Sequence, residues 1–158
     1  MHVDRTLKKA LAFLALALSL PLLAEVKVVL VANKIVTVNG VEQRESGDKA
    51  KPGDVIEYVA EYKNPDKNLV KNVVATLPVP SGMEYIPQTA APEQVTASTD
   101  DVTYAPVPLK RSVRGADGKM VQQLVPYSEY RSLRWSLGDI AGGNSKSVKA
   151  RMKVRTQK

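Results

Sequence analysis

The chain has 158 residues, no cysteine and a single histidine, His2. That length admits one domain with appendages, and the missing thiols exclude disulfides, thiolate metal sites, cysteine nucleophiles and lipidation of an N-terminal cysteine. Lys and Arg number 23 against 16 Asp and Glu, a formal charge of +7, while aromatics are only 5%; the core must therefore be built from Val, Leu, Ile and Ala, and the basic surface leans weakly toward acidic partners.

Residues 1–9 carry Arg5, Lys8 and Lys9, and residues 10–24 (ALAFLALALSLPLLA) are uncharged, with Pro21 near the end and the small Ala24 last. A basic start, an apolar middle and a small-residue end form the layout of a secretory signal peptide. The expectation is a cleaved signal helix at 1–24 and a mature domain at 25–158. The apolar run is short of the ~20 residues that span a bilayer, and an uncleaved N-terminal anchor is the alternative. Leu22 is large for the position three before the cut, so the cleavage point is open by a few residues. Cleavage removes three cations and Asp4, taking the formal charge from +7 to +5. It also removes His2, which excludes Ser-His-Asp and Cys-His machinery and histidine zinc sites from the mature chain. Carboxylate-only chemistry and oxygen-ligated calcium stay open.

Residues 26–38 are rich in β-branched side chains, with Val26, Val28, Leu30 and Ala32 on one face of a strand. Asn39-Gly40 supplies a tight turn, residues 41–44 return as a short strand, and the polar stretch 45–53 (ESGDKAKPG) is a loop. Residues 54–62 alternate. Ile56, Tyr58, Ala60 and Tyr62 face one way; Val55, Glu57, Val59 and Glu61 face the other, as in a half-buried antiparallel strand with Glu57 and Glu61 toward solvent. NPDKN at 64–68 is a turn. Residues 69–77 form a strand with Val73, Ala75 and Leu77 inward, broken by Pro78, Pro80 and Gly82, and 83–86 are short and extended. Edge strands are expected at 94–98 and, with Pro106 and Pro108 confining it to an edge, at 102–107. Residues 109–124 read as an inserted hairpin turning at Ala116-Asp117-Gly118-Lys119.

Residues 131–154 (RSLRWSLGDIAGGNSKSVKARMKV) read as two strands joined by a glycine turn and hold the only tryptophan. Leu133, Trp135 and Leu137 share one face. Val148, Ala150, Met152 and Val154 face inward on the last strand, with Lys149, Arg151, Lys153 and Arg155 outward. Seven or more short strands and no helix after the leader predict an all-β antiparallel sandwich with an inserted hairpin.

The candidate chemistry is sparse. Trp135 on an inward face is a core plug before it is a ligand platform, because an indole buries a large apolar area and needs one partner for its N–H. Lys149, Arg151, Lys153 and Arg155, spaced about 6.6–6.8 Å apart along one strand face, are the candidate contact surface. They fit an anionic polymer or a head-group surface, or serve to block edge-to-edge pairing. Asp100-Asp101 with Thr99 and Glu93 lack the ligand spacing of a calcium loop and read as solvated loop acids; Asp66 is isolated. Tyr127 or Tyr130 is a candidate to hydrogen-bond a neighbouring loop. Exposed clustering of Tyr85, Tyr104 and Tyr127 would favour a carbohydrate site. An export signal and the lack of an aromatic-basic cluster argue against nucleic acid.

Three stretches taken together, PGDVIEYVAEYKN, NVVATLPVPSGMEYIP and RWSLGDIAGGNSKSVKARMKV, resemble the bacterial repeat domain catalogued as domain of unknown function 11. The matching positions are Gly53-Asp54, Tyr58, Asn64, Asn72-Val73, Pro80-Ser81-Gly82, Trp135, Leu137-Gly138 and Gly143. The chain departs from the family in having Leu77 where an acidic residue often precedes the Leu-Pro turn, a longer 109–124 hairpin, and one copy of a domain that often occurs in tandem. The resemblance implies an immunoglobulin-like sandwich in an envelope or surface setting and implies no catalytic residues. The expectation is an exported, non-catalytic module of the bacterial cell envelope, periplasmic or at the surface. Its role would be structural or in protein interaction, with another envelope protein as partner and neither cofactor nor metal. The alternative is a ligand-binding module for carbohydrate or an anionic envelope polymer.

Overall fold

A computed structural model describes residues 25–156, so the leader assigned to 1–24 lies outside the described residues. Eleven strands run in chain order: β1 Lys27–Val38, β2 Val41–Ser46, β3 Val55–Lys63, β4 Val70–Pro78, β5 Met83–Tyr85, β6 Thr96–Ser98, β7 Ala105–Pro106, β8 Lys110–Arg114, β9 Met120–Leu124, β10 Ser132–Ile140 and β11 Ser145–Val154. Only two single-turn 3-10 segments, Gly47–Lys49 and Tyr127–Glu129, interrupt them among the described residues. Two antiparallel sheets, ordered β2-β1-β3-β11-β5 and β4-β10-β6-β7, pack as a sandwich, and β8-β9 forms the separate inserted hairpin.

The alternation read from the sequence sets the core. Ile56, Ala60 and Tyr62 from β3 and Val148, Ala150 and Met152 from β11 face Val73, Ala75 and Leu77 from β4 and Leu133, Trp135, Leu137 and Ile140 from β10, all buried. Each fully buried large apolar side chain contributes about 1.5–3 kcal/mol. Trp135 is 1% exposed, and its Nε1–H donates to the Pro92 carbonyl at 2.8 Å, so the indole is both packed and satisfied.

One end of the sandwich is tied by Asn64, which is wholly buried. Its Nδ2 donates to the carbonyls of Asn68 and Ile140 at 2.7 and 2.9 Å, and its Oδ1 accepts the Asp66 N–H at 3.1 Å. NPDKN is thus more than a turn by composition: it is locked against the β10–β11 loop. Gly142 in that loop lies so close that a Cβ there would sit 2.3 Å from the Lys67 carbonyl oxygen.

Three strand ends differ from the sequence expectation. β2 extends to Ser46 because the Asn39-Gly40 turn, with φ of +52° and +78°, sets a continuous ladder from Val38–Val41 to Asn33–Ser46. The expected strands at 94–98 and 102–107 shorten to three and two residues, since Pro106 and Pro108 have no N–H to give a ladder. The hairpin forms as expected, yet Met120, Val121 and Leu124 on β9 are exposed; only its base is anchored, through buried Leu109 and Val125. There the Tyr130 hydroxyl accepts the Leu109 N–H at 2.7 Å, which fulfils the loop-tying role considered for Tyr127 or Tyr130.

Candidate functional site

The four cations of the last strand do not act as one free row. Arg151 is bound into a four-residue network on the outer face of the first sheet: its Nε donates to Glu57 Oε2 at 3.2 Å and its Nη1 to Glu42 Oε2 at 3.0 Å. Arg44 Nε donates to Glu57 Oε1 at 2.8 Å. Glu57 does not face solvent as the alternation suggested; it is 3% exposed, roofed by these two guanidiniums from β2 and β11. Burial pushes its carboxyl up, but the hydrogen bonds from Arg44 and Arg151 outweigh that and hold it below the ordinary glutamate range. The network is structural, joining β2, β3 and β11 across β1. Lys149 and Lys153 remain exposed on that face.

Arg155 lies past the end of β11, where its N–H donates to the Gly82 carbonyl at 2.8 Å. It lines an open cleft of about 1100 Å³ with Arg131, just before β10, and Arg134 within it. No local pattern in the sequence announces this convergence, because the three cations meet only through the folding of distant segments. Arg134 stacks over the Tyr104 ring, its guanidinium carbon 3.4 Å from the centroid. A hydroxyl chain runs below it. Ser132 Oγ donates to Asp101 Oδ1 at 2.6 Å, so the Tyr104 hydroxyl, 2.7 Å from Ser132 Oγ, is the donor to Ser132. Arg131, Arg134 and Arg155 have no carboxylate within ion-pair distance among the described residues, whereas Glu129 in the same cleft is held by Arg111 at 2.7 Å. The cleft thus presents three guanidiniums beside the carboxylates of Asp101 and Glu129, which are engaged by Ser132 and Arg111.

The other sequence candidates resolve simply. Asp100 staples its own loop: Oδ1 accepts from Ser98 Oγ, Val102 N–H and Thr103 N–H at 2.7, 2.9 and 2.8 Å. The Ser98 hydroxyl and the Thr103 and Val102 amides hold its carboxyl well below the usual range. No cluster of three or more His, Asp or Glu suited to a metal occurs among the described residues. Tyr85 is buried, stacked on Tyr130 with ring centroids 6.1 Å apart and edge-on to Tyr127, while Tyr104 lies apart under Arg134. The three tyrosines that could have formed a sugar platform do not assemble one.

The second surface is apolar. Val28, Val29, Leu30 and Val31 of β1 are 46 to 55% exposed. By register Val28 and Leu30 lie on the same face as the buried Tyr62 and Ala60, yet both stay about half exposed. Their strand pairs with β3 on one side; on the other, β2 reaches only as far as Asn33. Among the described residues nothing pairs with the edge beyond.

No family model matches the chain, and neither a curated protein nor a solved structure does.

Proposed function

We propose that this protein is an exported, non-catalytic module of the bacterial cell envelope that acts by protein–protein contact. The observation that carries this reading is the open apolar edge of β1. Native sheets blunt their edges with charge, proline, bulges or short strands. Here β5 and β7 are short, β7 carries Pro106, and β2 carries Glu42, Arg44 and Glu45. The run of four exposed aliphatics in β1 has none of these guards, and such an edge recruits another strand through main-chain hydrogen bonds. The basic-apolar-small layout of residues 1–24 and the motif order resembling domain of unknown function 11 support the export and envelope setting. The test is fractionation of cells with mass determination of the protein's N-terminus, together with a photo-cross-linking residue at Val29 and another at Val74. An envelope fraction beginning near Glu25, with a discrete adduct from position 29 and none from 74, is expected. A cytosolic chain retaining Met1, or equal labelling from both positions, overturns the proposal.

The arginine cleft favours a second reading, a site for an anionic envelope polymer. Retention on an anionic matrix tests it. Replacing Arg131, Arg134 and Arg155 with Gln should lower the eluting salt concentration more than replacing Lys149 and Lys153 does. Equal effects would leave only bulk charge.

A further inference from the structure

We propose that two copies of this chain join through residues 27–31 of β1, antiparallel, about a twofold axis at Val29. The proposal rests on the contact role of β1 above and names its partner as a second copy.

Backbone geometry sets the register. The Asn39-Gly40 turn, with both φ values positive, makes Val38–Val41 the closing hydrogen-bonded pair of the hairpin. Alternate residues back along β1 aim their N–H and C=O groups the same way: Val36 and Lys34 into β2, then Leu30 and Val28 into open solvent. The other side of the sheet agrees. Asn64 N–H donates to the Asn144 carbonyl, so even-numbered residues of β3 turn to β11 and odd ones to β1, where they meet Lys27, Val29 and Val31. The open edge therefore presents two donors and two acceptors, those of Val28 and Leu30.

An antiparallel pair centred on Val29 sets Val28 opposite Leu30 of the second copy, and Leu30 opposite its Val28. All of these groups on both strands are then satisfied in four hydrogen bonds. Centring on Leu30 instead would bring Val28 against Ala32. That position is closed: Gly47 packs so tightly there that a Cβ on it would lie 2.8 Å from the Ala32 carbonyl oxygen. The pairing stops at Lys27, where β1 begins, and Val26 before it packs on the core.

Side chains and charge fit the same register. Val29 faces its own copy, Val28 faces Leu30, and Lys27 faces Val31, so every opposed pair is apolar or carries one charge. The two Lys27 ammonium groups are offset by four residues, about 13 Å along the strands, which exceeds the screening length of roughly 10 Å at 0.1 M salt. The pairing is small beside the ~1,200–2,000 Å² of standard stable complexes, so the dimer is reversible and concentration-dependent.

The cysteine-free chain allows a register-specific test. Val29→Cys places one thiol on the axis opposite its copy, within disulfide reach, while Val31→Cys places its thiol about 13 Å from its copy. In mild oxidant the purified mature protein with Val29→Cys should become a covalent dimer at least tenfold faster than that with Val31→Cys. Sedimentation of the unsubstituted protein should show a monomer–dimer equilibrium up to millimolar concentration, lost in Val29→Lys with an unchanged circular dichroism spectrum. Equal cross-linking of the two cysteine variants, or a monomer throughout the concentration range, overturns the proposal. So does a photo-adduct at Val29 made solely with a different protein, an outcome that would leave the wider contact role standing.

Discussion

The two halves of β1 invert the usual relation between composition and burial. Asn33 and Lys34 belong to the stretch flanked by both β2 and β3, and Lys34 there pairs with Asp54 at 2.9 Å. The half with Val28, Val29, Leu30 and Val31 is flanked on one side only and lies about half exposed. Folding alone rewards the opposite arrangement, since buried apolar area is its main driving term. The aliphatic run is therefore not part of what closes the sandwich. Its chemistry is that of a strand awaiting a neighbour.

That separation predicts a body whose stability resides elsewhere. Trp135→Ala should produce the largest loss, about 3–5 kcal/mol in denaturant unfolding, by emptying the core between the two sheets and leaving the Pro92 carbonyl without its donor. A midpoint and slope equal to those of the unsubstituted protein would contradict the core role. Asn64→Ala comes next, at about 2–3 kcal/mol, because it strands the Asn68 and Ile140 carbonyls and the Asp66 N–H at once. Hydrogen exchange should then accelerate in the 64–68 and 141–144 loops and leave residues 27–31 unaffected. Acceleration in β1 would break the independence of the two regions.

Glu57 sits at the junction of the two halves, where its network holds β2 beside the covered part of β1. Glu57→Gln should cost about 1–2 kcal/mol, the low end for a buried charged partner, since Arg44 and Arg151 keep partial access to water. The pH dependence has a definite sign. The carboxyl titrates lower when folded than when unfolded, so its contribution is present above the unfolded value and disappears as pH falls through the folded one. The unsubstituted protein should therefore lose stability below about pH 5 more steeply than Glu57→Gln does. Parallel acid-unfolding curves would show that the ion pairs carry no net stabilisation.

The parts of this architecture legible in the sequence are those with a local period. Ile56, Ala60 and Tyr62 announce their face by alternation, Trp135 by size, and Asn39-Gly40 by the positive φ that a two-residue turn requires. What escaped depends on partners far along the chain. Glu57 looks like a solvated acid until Arg44 and Arg151 cover it from strands 13 and 94 residues away. Arg131, Arg134 and Arg155 look like scattered surface charge until the strands bring them to one cleft. Val28 and Leu30 point to the core side as alternation demands. Whether anything covers them depends on how far the opposing sheet extends, which no local pattern records.

The smallest expected effect is the most discriminating. Val29→Thr with Val31→Thr keeps the β-branched shape that suits a strand and changes only the polarity of the open half of β1. If those side chains belong to the folded body, the double substitution buries two hydroxyls and lowers stability by about 2 kcal/mol or more. If the edge is independent, unfolding at low protein concentration should shift by no more than about 0.5 kcal/mol, as for surface changes generally. At high concentration the unsubstituted protein gains stability by mass action from whatever pairs with its edge, and the double variant does not. A difference between the two proteins that grows with concentration, from near zero in dilute solution, is therefore the signature of an edge built for association rather than for folding.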